Sequence, residues 1–375
     1  MRYICTNKIV TYKYVFIIAC AILLAMTSCE RYQTGVKTGA GLLSKSLFFN
    51  ADYDEEAGRA GNIIRTIQVG NFESSDSKEI VIFSKYRYFI LDAGTRKLKR
   101  TIRFIEPMGL SPELLKVNDD GSLEIMSRGG GFDDVGLVNT FGEFIWKYKR
   151  EQGTSPRMAA GKFVRDGQVE FYIADFDGLH KLDHSGKQIW KTKDNINEVD
   201  IQIYKPGRNK ASVIITRDIH GNIKYWGETG KLLKEVIPEI ESYDLEIVYW
   251  PDDYHILAIG DYKIIIMNLD GKIAFQYKLK EDICQSFIHL LEIMDIRGIP
   301  VKLDPKKRPY LAVITKHRAA LKKATLSIFS PERQLVYQEM LNSSTGINTL
   351  KNPDGSESLL VGEGAKKVWI YSMKS

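Results

Sequence analysis

The side chains in this chain most able to do chemistry are carboxylates, and they recur at matching places: Asp133 and Asp134, Asp175 and Asp177, Asp218 and His220, and Asp261. A second set is basic: Lys316, His317, Arg318, Lys322 and Lys323, then Lys366 and Lys367, then Lys85 and Arg87. Gathered on one face, the two sets would make an acidic and a basic half, an electrically polarised surface suited to steering a partner. Converging carboxylates could instead ligate a cation, or serve a hydrolase or lyase. The enzyme reading requires two or more of Asp133, Asp175, Asp218 and Asp261 within about 10 Å of each other. Asp is also an ordinary turn residue whose side chain accepts local backbone hydrogen bonds, and that reading stays open. The six histidines show no metal-ligand spacing, and no Gly-x-Ser-x-Gly, phosphate loop or dinucleotide fingerprint occurs. We therefore expect a non-enzymatic protein with no catalytic residue, no metal and no cofactor. Its partner-binding residues would be Asp133, Asp134, Asp175, Asp177, Asp218, His220, Asp261, Lys316 and Arg318.

These residues can meet only if a repeated element places them together, and the sequence contains one. An apolar strand, a turn ending in Gly and a second strand recur around Gly94, Gly142, Gly186, Gly230 and Gly271, with spacings of 48, 44, 44 and 41 residues. A period in that range, with several strands in each unit, is the mark of a propeller blade. First strands read 64–69, 113–117, 158–163, 200–204, 245–249, 287–293 and 347–350, and second strands rich in β-branched and aromatic residues follow each. Polar hairpins with Asp-Gly steps, such as 118–121, 165–167 and 352–355, join the two. The seventh unit ends at its third strand, 368–372, and Leu47 to Phe49 can supply the missing edge. The expected fold is all-β: a single β-propeller over residues 46–375, of seven four-stranded blades closed by an N-terminal strand. Six or eight blades stay open, because unit six is long and irregular.

In that architecture the loops joining second to third strands lie at one end of the ring, so the aspartates and basic residues above share a face. Lys302, Lys306, Lys307 and Arg308 fall in a hairpin joining a first to a second strand, hence at the opposite end. They read as a solvated loop or as a contact for anionic headgroups. A glycan-binding protein would show exposed aromatic side chains, and Tyr86, Tyr262 and Trp250 are the ones to inspect.

At the amino terminus, Arg2, Lys8 and Lys13 precede an apolar run, 14–27, that is short of the roughly 20 residues that span a bilayer. The run ends in Met26, Thr27, Ser28 and Cys29, which resembles a bacterial lipoprotein lipobox, with Met26 where that family usually has Leu. The resemblance implies cleavage after residue 28 and a lipid on Cys29, with 29–45 as an acylated, flexible tether. Glu30 in place of Asp implies the outer membrane, facing the periplasm or the surface. The processed chain carries 50 Lys plus Arg against 47 Asp plus Glu, a net of +3, which argues against a nucleic-acid partner. Its one further cysteine, Cys284, permits no internal disulfide, so an apolar core must hold the domain. The expected partners are the membrane, through the anchor, and an envelope protein bound by a monomeric propeller.

Residues 182–190, with Leu182, Asp183, Gly186, Lys187 and Trp190, resemble the blade motif of the quinoprotein-type (PQQ-like) β-propeller superfamily. Partial copies lie at 141–146 and 270–275. In that motif Gly takes a φ > 0 turn position and the aromatic docks between blades. Cofactor-binding members carry adjacent cysteines, which this chain lacks, so the resemblance implies a non-catalytic lipoprotein member.

Overall fold

The computed structural model describes residues 42–51, 64, 66–70, 78–83, 87–103, 113–116, 123–128, 134–139, 143–149, 157–161, 169–175, 177–192, 198–204, 212–218, 220–238, 245–260, 263–279, 293–317, 323–342, 346–364 and 366–374. Its strands form seven four-stranded antiparallel sheets. Blade one is β2 (Thr66–Gly70), β3 (Glu79–Phe83), β4 (Arg87–Asp92) and β5 (Leu98–Arg103). Blade two is β6 (Glu113–Lys116), β7 (Leu123–Arg128), β8 (Asp134–Val138) and β9 (Phe144–Lys149). Blade three is β10 (Arg157–Gly161), β11 (Glu170–Asp175), β12 (Gly178–Leu182) and β13 (Gln188–Lys191). Blade four is β14 (Glu198–Tyr204), β15 (Val213–Asp218), β16 (Ile223–Trp226) and β17 (Leu232–Val236). Blade five is β18 (Leu245–Tyr249), β19 (Tyr254–Gly260), β20 (Lys263–Met267) and β21 (Ile273–Lys278). Blade six is β22 (Ile293–Val301), β23 (Tyr310–His317), β24 (Lys323–Phe329) and β25 (Leu335–Asn342). Blade seven takes β26 (Ile347–Lys351), β27 (Glu357–Glu363) and β28 (Lys367–Met373) from the carboxyl end and β1 (Leu43–Asn50) from the amino end.

Burial follows strand position. Second and third strands, sandwiched between neighbouring blades, are apolar and closed on both faces: Ile80 to Phe83, Phe171 to Ala174 and Ile256 to Ile259 are all buried. Fourth strands are more exposed, and β9 alternates, with Ile145, Lys147 and Lys149 pointing out and Phe144, Trp146 and Tyr148 in. The core therefore lies between blades. Ile259, Ile264 and Ile266 of blade five pack with Leu311, Val313 and Phe329 of blade six. Each such side chain contributes roughly 1.5–3 kcal/mol by leaving water.

The turn that defines the repeat also joins the blades. Gly186 has φ +82°, and a Cβ there would lie 2.5 Å from Trp146, the outer-strand indole of the preceding blade. Gly230, φ +76°, sits the same way over Trp190, whose Nε1 donates to Glu228 O at 3.1 Å. Six fourth strands share a bulge just after this turn. Lys99, Ile145, Ile189, Leu233, Ala274 and Val336 are each skipped in the pairing with the third strand. A bulge bends an outer strand and blunts its free edge against pairing with another sheet.

β1 pairs along β28 from Leu43 opposite Met373 to Asn50 opposite Lys367. The ring closes further through Asn348 Nδ2, which donates to Ile67 O at 2.8 Å between the inner strands of blades seven and one. The closing strand starts at Leu43, so the fold begins inside the segment expected as tether. Unit six also departs from expectation: the first strand of its sheet is Ile293–Val301, and of the expected 287–293 only residue 293 lies among the described residues.

Candidate docking face

The end of the ring formed by the second-to-third loops holds the predicted residues that the structure describes. Asp175 closes β11 opposite Gly178 and is buried. Asp177 lies in the intervening turn and is held from two sides. His180 Nε2 is 2.7 Å from its Oδ1, and Lys191 Nζ is 2.6 Å from its Oδ2. Burial pushes the Asp177 carboxyl up, and the hydrogen bonds from Lys191 and His180 outweigh it, so its pKa lies below the usual value. The far nitrogen of the same ring, His180 Nδ1, lies 3.1 Å from Tyr148 Oη on blade two, so the turn is tied across a blade boundary.

Asp218 closes β15 and is buried at 3 % exposure. Its Oδ1 accepts from the backbone N–H of His220 at 2.9 Å and of Asn222 at 3.0 Å, the geometry of an Asx turn. Its Oδ2 accepts from Asn222 Nδ2 at 3.1 Å and lies 3.2 Å from Lys224 Nζ. Burial raises this carboxyl and Lys224 with Asn222 lowers it, the lowering prevailing. His220 itself is exposed. Beside this turn, Asp200 Oδ2 takes two bonds from Arg217, Nη2 at 2.6 Å and Nε at 2.8 Å, all buried.

Asp134 opens β8 opposite Lys149. Lys316 is half-buried near the end of β23 opposite Asp295, Arg87 and Lys323 are half-buried at strand starts, and Lys366 and Lys367 are exposed. Asp133, Asp261, Arg318, Lys85, Lys322, Cys29, Tyr86 and Tyr262 lie outside the described residues. The structure thus brings Asp218 to His220 and Asp175 to the Asp177 turn, each within its own blade. Asp175 and Asp218 point into the fold rather than outward from an acidic half.

Sequence reading missed the partners His180, Lys191, Lys224, Asp200 and Arg217. The signal was present: Lys224 interrupts the otherwise apolar 223–226, and His180 and Lys181 interrupt 179–182. A polar residue inside a strand buried on both faces must find a partner there. Trp250 is buried, its Nε1 donating to Pro309 O at 2.9 Å, so it offers no face to a glycan. At the opposite end, Lys302 and Lys306 to Arg308 are exposed between β22 and β23 as expected, with Arg308 paired to Asp252 at 2.7 Å and Glu332 at 3.5 Å. Among the described residues no group of three or more His, Cys, Asp or Glu could hold a metal ion, and no helix is long and apolar enough to cross a membrane.

No known protein family and no curated protein matches this chain. Among solved structures, BBS1N in complex with ARL6DN is similar over 87% of this chain and 96% of its own, with TM-score 0.59 and 11% identity. The Pan2 WD40 domain of Neurospora crassa is similar over 90% of this chain and 97% of its own, with TM-score 0.54 and 11% identity. BamB from Moraxella catarrhalis covers 86% of this chain and 85% of its own at TM-score 0.49 and 15% identity. At such identities the first two likenesses show the fold alone, and in fold this chain is a β-propeller.

Proposed function

We propose that the protein is a non-enzymatic β-propeller scaffold of the bacterial cell envelope, anchored through a lipid on Cys29, that binds a protein partner at its second-to-third loop end. One observation carries the reading: Asp177 and Asp218, two of the carboxylates that could have done chemistry, already serve their own blades. Asp218 is occupied by two backbone N–H groups, Asn222 and Lys224, and Asp177 by His180 and Lys191. Such bonds make the loop end rigid, which reduces the entropy lost when a partner docks. They also hold the carboxylates ionised and engaged, unlike an acid or base poised near neutrality. His220, Lys366 and Lys367 remain exposed at this end as the groups a partner would meet.

The test is a photo-reactive residue placed at His220 or Lys366 in the intact envelope. The expected result is the same crosslinked protein from both positions and none of it from Lys187, at the other end of the ring. Loss of that pattern overturns the docking face. Anchoring is tested separately: the mass of the amino-terminal peptide should show an acylated Cys29, and Cys29→Ser should release the protein from the membrane fraction.

A further inference from the structure

Eight large apolar side chains are exposed among the described residues, and six lie at one end of the ring: Leu98, Ile145, Ile189, Leu232, Leu233 and Tyr249. This is the end of the third-to-fourth turns and first-to-second hairpins, away from the loop end proposed for a protein partner. The repeated bulge produces this arrangement. In blades two to six the skipped residue is aliphatic, and in blades two, three and four it is also exposed, Ile145, Ile189 and Leu233 at 51%, 51% and 57%. The bulge needs an extra residue, but nothing in its geometry requires that residue to be apolar. Three adjacent blades therefore present a half-exposed branched side chain at the same corner. Apolar exposure repeated at the same corner of successive blades points to a surface that meets something other than water.

Charge follows the same repeat. The residue just after the positive-φ turn position is an exposed lysine in four blades: Lys97, Lys187, Lys231 and Lys272. In blades three and four that lysine stands two residues before the exposed aliphatic, and Lys302, Lys306 and Lys307 add positive charge at the same end in blade six. Branched apolar side chains interleaved with lysines suit an anionic lipid surface, to which binding grows with apolar area and with charge.

The chain also enters the fold here. Leu43 pairs with Met373, the last residue of β28, and Lys374 N donates to Leu42 O at 3.0 Å, both at the turn end. Twelve residues, 30–41, lie between Cys29 and Leu42, a reach of at most roughly 45 Å. Resting on the anchored reading proposed above, we infer that this turn end of the ring lies against an anionic phospholipid surface, with Ile145, Ile189 and Leu233 entering the headgroup layer and the turn lysines meeting phosphates. The opposite end then faces outward toward the protein partner.

The described ring closes on itself from Leu42 to Lys374, so a chain starting at residue 30 retains every described element without the lipid. That chain should sediment with vesicles of phosphatidylglycerol and phosphatidylethanolamine, weakly with phosphatidylcholine, and less as salt rises. The triple variant Ile145→Ser, Ile189→Ser, Leu233→Ser should lower the bound fraction at least fivefold, and Lys187→Glu with Lys231→Glu similarly. Ile237→Ser, at a side chain 80% exposed beyond the other end of β17, should leave it unchanged. Unaltered circular dichroism in each variant excludes misfolding. Failure of the parent chain to bind anionic vesicles, or an equal loss in Ile237→Ser, overturns the inference. The mass of the amino-terminal peptide judges the anchor independently, since an acylated Cys29 with no vesicle binding by the lipid-free chain sinks this surface and spares the anchor.

Discussion

Lys45 Nζ lies 2.7 Å from Glu339 Oε1, joining the amino-terminal strand that completes blade seven to the outer strand of blade six. The pair is largely shielded, at 24% and 16% side-chain exposure. Tyr337 and Tyr371 donate to the other carboxylate oxygen at 2.7 and 2.9 Å, and the Lys45 ammonium sits 4.4 Å from the Trp369 ring centroid. The closing strand is thus fixed to two blades, by its ladder to β28 and by one charge to β25. Lys45→Met should destabilise the protein by about 1–3 kcal/mol, because it leaves a shielded carboxylate without its cation. Urea unfolding of Lys45→Met, Glu339→Gln and the double variant should show coupling, with the double change costing less than the two singles together.

The same carboxylate sets a pH limit. Burial pushes Glu339 up, but Lys45 and the Tyr337 hydroxyl bring it below its ordinary 4.5. A carboxyl whose pKa is lower folded than unfolded binds protons preferentially in the unfolded chain. Its stabilisation is complete above the unfolded value and is lost as pH falls through the folded one. Asp177 and Asp218, also lowered, act in the same direction. The urea midpoint should therefore be flat from pH 7 to about 5 and fall steeply below 4.5, and Glu339→Gln should flatten part of that fall.

Two glycines separate the strain of the turn from its packing. Gly186 and Gly355 have nearly equal φ, +82° and +81°, but an added Cβ would lie 2.5 Å from Trp146 at the first and 4.0 Å from Pro305 at the second. Gly355→Ala should cost only the left-handed backbone penalty, about 1–2 kcal/mol. Gly186→Ala must also displace an indole wedged between blades two and three, and should cost a further 1–3 kcal/mol, the usual range for overpacking. Thermal unfolding of the two variants checks the order, and equal losses would show that the blade contact contributes nothing.

The parts of the fold readable in advance are those where one residue type has one geometric use. Gly186 and Gly230 announce the turn because other residues resist positive φ, and Trp190, after Gly186, announces the blade contact it makes with Gly230. The first strand of blade six was misplaced because Gly298 and Pro300 lie in it, and both usually argue against a strand. An inner strand has a ladder neighbour on one side only, so a missing N–H is tolerated there. The loop end was legible as a list of aspartates but not as a structure. Whether Asp218 points outward or back onto its own turn depends on Lys224 and Asn222, and their reach depends on register. The apolar corner was invisible for a similar reason: Ile145, Ile189 and Leu233 read as ordinary strand residues, and only the pairing with the third strand shows that each is the residue a bulge skips.

Asp218 decides between the turn role and the docking role. Asn at this position keeps an Oδ1 that can accept from the His220 and Asn222 N–H groups, but it cannot ion-pair with Lys224, which is buried beside it. Asp218→Asn should then cost roughly 1–3 kcal/mol, and Asp218→Ala about 1–2 kcal/mol more, since two backbone donors also lose their acceptor. Adding Lys224→Met to Asp218→Asn removes the cation that has lost its Asp218 partner and should restore part of the loss. None of these changes should lower crosslinking from position 220 in whatever fraction stays folded, because the Asp218 carboxylate does not reach the surface. If Asp218→Asn abolished partner capture at unchanged stability, the carboxylate would be acting on the partner and its role as a turn-former would be secondary.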